Sequence, residues 1–237
     1  MITTDTIKEF FDYSSNNETN QIFISEKDLV FCFGLFLHKK FPNAIIKFEF
    51  PFKIAYSYNS KVVNVKDKDK CKSGYLDLYV ILNEKTYGFE FKYKTKEMSV
   101  QNDLLSFKLK NQGAQDLLRF EFRKDIHRLE YLKQNTNKPK IDIGFAILLS
   151  NDNTLYNNEE KETADIELRF SDEIPIQGGS FNWHPKDKNA SWLKEPKFTM
   201  DLKLRTEGYE IKWYKYIEYQ NNLNSMNCIF KYCMVKV

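Results

Sequence analysis

Apolar and polar positions along this chain fall into helical and alternating segments. From Glu26 to Lys40 apolar residues nearly encircle the helical repeat, with Ser25 placed as an N-cap and Pro42 just beyond the end. That pattern predicts a helix buried against a sheet. A shorter helix is expected near residues 4–12, followed by the polar loop SSNNETNQ. IIKFEFPFKIAY, residues 45–56, reads as a strand pair or one long bent strand, interrupted by Pro51. NSKVVNVKDKDKCKSG reads as a short strand and then a charged loop.

The segment GYLDLYVILNEKTYGFEFKYKTK, residues 74–96, alternates like a hairpin spanning about 75–94. A long helical region is expected next, broken at Gln112-Gly113. From Ala114 to Lys133 apolar residues at 114, 117, 118, 122, 126 and 129 keep a helical period. KIDIGFAILLS, residues 140–150, is apolar and of strand length, as a buried central strand would be. Helix, strands, hairpin, helix and strand in this order predict an α/β core with a mixed sheet flanked by helices.

After Ser150 the pattern changes. NDNTLYNNEEKETAD is polar, and IELRF, YEIKWYKYIEY and CIFKYCMVKV read as strands between loops holding Pro185, Pro196 and Gly178-Gly179. The expected organisation is one domain. Its core covers about 24–150, and a β-rich C-terminal extension, about 151–237, packs on that core.

Composition narrows the options. The 237 residues can bury a real core, and 16% aromatic residues with few Gly or Pro exclude general disorder. A net charge of +3 creates no global field for a polyanion, so such a partner would have to meet local basic patches. Cys32, Cys71, Cys228 and Cys233 have no CxxC spacing, and His38, His127 and His184 have no ligand spacing, which argues against a zinc site. The first residues are polar and acidic, and the longest apolar run, Leu29 to Leu37, is about half of a membrane span. A cytoplasmic protein without a membrane partner is expected.

The chemistry lies in the hairpin. With the turn at Asn83-Glu84, Leu82 faces Lys85 and Asp77 falls opposite Glu90, with Lys92 on the same face. Leu76 with Phe91, Leu78 with Phe89 and Val80 with Tyr87 then form an apolar row on the other face. A half-wet hairpin also carries charges on one face. Yet facing carboxylates repel, Tyr75, Tyr79 and Ile81 are apolar company for a wet surface, and a cation between the acids removes the penalty. Carboxylate oxygens suit Mg²⁺ (or Mn²⁺). Lys92 beside them could orient or deprotonate a metal-bound water, or stabilise developing negative charge.

Asp77, twelve intervening residues and then Glu90-Phe91-Lys92, set in that order of helices and strands, resembles the PD-(D/E)XK nuclease superfamily and its restriction-endonuclease-like fold. The likeness covers roughly residues 24–150, and Leu76 stands where the family's motif proline would precede Asp77. It implies metal-dependent phosphodiester hydrolysis, with Asp77 and Glu90 as metal ligands and Lys92 as the catalytic lysine. Glu26 matches an acid that members place on the first helix, although a first-turn acid also suits the helix dipole. Glu49 is a weaker candidate. Gln115 lies near where some members place a glutamine on the following helix.

Lys94, Lys96, Lys108 and Lys110 would join Lys92 in a local basic surface for nucleic acid. DNA is the expected substrate, most simply for an endonuclease, and RNA stays open. The region after residue 150 would supply substrate contacts or the surface of a homodimer. The alternatives are a catalytically inactive member that binds nucleic acid or a protein partner, and a plain structural hairpin.

Overall fold

In the computed structural model, which describes residues 1–16, 22–56, 71–101, 105–136, 139–157, 163–183, 195, 198, 200–219 and 228–237, Ser25 starts a helix as its sequence suggests. Its side chain accepts from the Asp28 backbone N–H, and helix α2 runs over Glu26–Lys40. Acids in its first turn and His38, Lys39 and Lys40 in its last complement the helix dipole. Helix α1 (Thr4–Ser15) precedes it. Strand β1 (Ile45–Ala55) follows and runs unbroken through Pro51, which an edge strand tolerates. The short strand expected just before Cys71 lies outside the described residues.

Strands β2 (Cys71–Leu82) and β3 (Lys85–Lys94) form the hairpin. Asn83 and Glu84 both have positive φ, 50° and 64°, the backbone that a tight two-residue hairpin turn requires. Residues 95–112 were expected to be helical and instead contain a second small hairpin, β4 (Met98–Gln101) and β5 (Ser106–Leu109). Met98 and Val100 are buried while Ser99 and Gln101 are exposed, a period of two rather than 3.6. Helix α3 (Gln115–Gln134) comes next, then β6 (Ile143–Ser150), β7 (Trp213–Glu218) and β8 (Ile229–Lys236).

The main sheet has six strands in the order β1-β2-β3-β6-β8-β7. Only β3 and β6 are parallel, joined by the α3 crossover, so the protein is mixed α/β with a mixed sheet and, among the described residues, three α-helices. The two last strands therefore complete the main sheet, with β8 between β6 and β7. Among the described residues, the rest of the region after residue 150 is less regular than the expected β-rich unit. IELRF, read as a strand, contains the 3₁₀ turn Ile166–Leu168, where the Leu168 N–H turns back to the Asp165 carbonyl. Among the described residues no helix is long and apolar enough to cross a membrane.

Both faces of the sheet are apolar. Phe10 and Phe11 of α1 and Leu29, Phe33 and Leu37 of α2 cover one face, against Leu78, Val80, Phe89, Phe91 and Phe145. Leu118, Phe122, Ile126 and Leu129 of α3 cover the other, together with Phe170, Met200 and Leu202 of the C-terminal region. Helix α2 packs against the sheet as expected, and of its encircling apolar positions Phe31 and Leu35 are left exposed.

Gly88 of β3 and Gly144 of β6 are register partners under α3. A Cβ on Gly144 would stand 3.0 Å from the Leu129 Cβ, so the missing side chains let α3 settle close to the sheet. Gly144→Val is therefore expected to destabilise the fold by about 1–3 kcal/mol through overpacking, although valine favours strands. Urea unfolding measures this, and unchanged or increased stability would count against so close an approach.

Candidate functional site

The hairpin keeps the predicted register from Leu82–Lys85 to Leu78–Phe89 and no further. Beyond that point the two strands part. The Phe91 N–H donates to the Asp77 carboxylate at 2.6 Å, so a side chain takes the place of a ladder partner. Asp77 is thus not the cross-strand partner of Glu90, and the expected facing pair is corrected. Leu76 does not share a row with Phe91 either: it packs in the α3 layer, whereas Leu78 and Phe91 pack in the α1/α2 layer.

Alternation breaks at Asp77, and in β1 it breaks beside that point, at Glu49. Phe48 packs at a tilt on Phe31 of α2 with centroids 4.8 Å apart, whereas Phe50 stacks on Tyr79 in the opposite layer at 4.3 Å. Between them Glu49 has φ of 48°, a left-handed backbone that costs a non-glycine residue of order 1 kcal/mol or more. The strands bend where the candidate acids are carried.

Glu90 and Lys92 point toward α3, into a layer that is anything but wet. Glu90 is 2% exposed. The Lys92 Nζ lies 2.6 Å from the Asp125 carboxylate, itself fully enclosed on α3. One turn on, Arg128 Nη1 lies 3.4 Å from Glu90 and 3.3 Å from Asp125, and its Nε donates to the Tyr56 hydroxyl at 3.0 Å. Glu26 opens α2 from the other layer and accepts from the Tyr93 N–H at 3.0 Å, fastening helix to strand.

Burial dominates the electrostatics. It pushes Asp77 up to about 7, with the nearby Asp125 and Glu26 adding to the rise against Lys92 and the Phe91 N–H. Burial also raises Glu26 and, helped by Asp125 and Asp77, holds Glu90 well above the usual carboxylate range. For Lys92 burial alone would lower the pKa, but Asp125, Glu26, Glu90 and Asp77 reverse it and keep the ammonium charged. Arg128 is raised in the same way by Glu90 and Asp125. Four carboxylates thus surround two cations in a largely desolvated volume, and the acids are under-compensated.

The other expected residues go elsewhere. Gln115 donates its carboxamide to Asp152 at 2.8 Å and lines a cavity of about 420 Å³ with Asp116 and Arg119, apart from the acid cluster. Lys94 donates to the Gly113 carbonyl, and burial lowers its pKa. Lys96 pairs with Asp152 at 3.4 Å, and Lys108 pairs with Glu97 at 2.7 Å on the surface. Lys110 is exposed, whereas the other three each have a carbonyl or carboxylate partner. Glu49 is exposed at the edge of the site, within the field of Glu26.

Asp125, Arg128 and Tyr56 escape a reading of the motif alone. The available signal was Asp125 itself: an acid three residues after Phe122 and four before Leu129, inside the apolar stripe of its helix. Among the described residues no three His, Cys, Asp or Glu side chains are already gathered as a metal-binding group. No protein family, no curated protein and no solved structure matches the chain.

Proposed function

We propose that the protein is a metal-dependent nuclease of the PD-(D/E)XK kind, with a restriction-endonuclease-like core, that hydrolyses phosphodiester bonds and most simply acts as a DNA endonuclease. The observation that carries this reading is the excess of buried carboxylate gathered around Lys92 where β2 and β3 part. Desolvated acids raise their pKa unless a cation joins them, and this cluster has room in its charge balance for one divalent ion. The order of elements, a helix, three antiparallel strands, a crossover helix and a parallel strand, supports the same reading.

The donor set fits Mg²⁺ or Mn²⁺. Two carboxylates are what Mg²⁺ commonly takes from protein, the rest of its shell being water and substrate phosphate. Asp77 and Glu90 would hold it, and when bound it supplies positive charge and a more acidic water. The chain's own groups do the remainder. Asp77 is fixed by the Phe91 N–H, so its position does not depend on the ion. Lys92 keeps its charge and sets an ammonium where a phosphate oxygen gains charge during displacement. Glu26 ties the α2 N-terminus to β3 and adds negative charge near Lys92.

The test joins calorimetry to cleavage of covalently closed circular DNA. Mn²⁺ should bind the EDTA-stripped chain, bind more weakly to Glu90→Gln, and allow the wild type to nick the circle. Absence of both binding and nicking would overturn the nuclease reading. Metal-independent retention of the DNA would favour a binding protein on the same fold.

A further inference from the structure

We infer that Asp125 and Arg128 are positioning residues of this site, and that the Arg128 guanidinium is a built-in counter-cation competing with a divalent metal for Glu90. The inference rests on the reading that Asp77 and Glu90 hold the metal. Its observations are geometric. Arg128 Nη1 reaches both Glu90 and Asp125, at 3.4 and 3.3 Å, and its Nε is fixed by the Tyr56 hydroxyl. Asp125 is 1% exposed and divides its carboxylate between Arg128 and the Lys92 ammonium at 2.6 Å. Both residues sit on one turn of α3, which the Gly88–Gly144 pair lets approach the sheet closely.

Two consequences follow from charge alone. Removing Arg128 leaves Glu90 without its cation, so a divalent ion gains the full attraction of that carboxylate. Removing the charge of Asp125 frees Arg128 to turn wholly to Glu90 and takes one negative charge from the cluster, so the ion is held less well. Substitutions at neighbouring positions should thus move metal affinity in opposite directions. A merely structural role would weaken binding in both.

The experiment is Mn²⁺ calorimetry on the EDTA-stripped full chain. Arg128→Gln should bind Mn²⁺ roughly tenfold or more tightly than wild type, since a unit charge a few ångströms away is lost from a poorly screened site. Asp125→Asn should bind it several-fold more weakly. In a Glu90→Gln background, Arg128→Gln should produce no tightening, because its competitor's target is gone. Arg128→Lys, which keeps a charge but loses the Nε tie to Tyr56 that holds it at Glu90, is measured beside them in case Arg128→Gln does not fold, and should tighten binding less but in the same direction. Unchanged or weaker Mn²⁺ binding in the folded Arg128 variants overturns this inference while wild-type binding and cleavage leave the nuclease reading in place. Absence of Mn²⁺ binding by the wild type overturns both.

Discussion

Asp77→Asn is expected to lower phosphodiester cleavage by roughly 10²–10⁴-fold, the loss that follows when a metal ligand's charge is withdrawn from charge stabilisation worth several kcal/mol. The fold should survive it. Asparagine keeps a side-chain oxygen to accept from the Phe91 N–H, so the splayed end of the hairpin retains its tie. It also removes one under-compensated carboxylate from a buried cluster, so in EDTA the thermal midpoint should hold or rise. Lys92→Ala is the less clean variant because it leaves the enclosed Asp125 carboxylate with Arg128 as its one close cation among the described residues. Cleavage by Asp77→Asn within threefold of wild type, on a folded sample, would remove Asp77 from the chemistry.

The second large effect concerns stability. Arg123 is buried on the side of α3 that faces away from the sheet, where it donates to the carbonyls of Leu202, Gln177 and Gly179. Burial lowers its pKa to about 10, still charged at neutral pH. Arg123→Met keeps most of the apolar stem but takes a charged donor from three carbonyls, of which Gly179 keeps the Leu204 N–H. Charge-assisted bonds of this kind predict a loss of about 3–5 kcal/mol. Urea unfolding would register it, and limited proteolysis should cut first between residues 163 and 211. A variant as stable and as protease-resistant as wild type would show that the extension is held by its apolar contacts alone.

Much of the fold was legible because hydrophobic periodicity and caps agreed. Ser25 and Pro42 bracket α2, and the stripe from Leu117 to Leu129 marks α3. The Asn83-Glu84 turn carried the register correctly for five pairs. What failed was the assumption of strict alternation. Leu76 and Leu78 are the same residue type, so no pattern reveals that they serve opposite layers, and a bend shared by two strands is a tertiary event. The segment before Gln112 failed for another reason: Met98 and Val100 are too few to separate a two-residue period from a helical one. Asp77, Glu90 and Lys92 could be named from spacing, and Glu26 from its place on α2. Asp125 and Arg128 could not, because an i, i+3 acid–base pair on a helix usually means a solvated face, and only folding brings α3 over β3.

Helix α3 has a double duty whose mechanical meaning goes beyond either site. Arg123 reaches outward to the loops around Gln177 and Leu202, while Asp125, two residues on, reaches inward to Lys92. Two residues on a helix turn the side-chain direction by about 200°, so one rigid rod is gripped from opposite sides. The outer loops and the inner charges cannot then shift independently. If the protein acts as proposed, a polymer resting on the C-terminal region would pass its load, through a single helical turn, to Lys92.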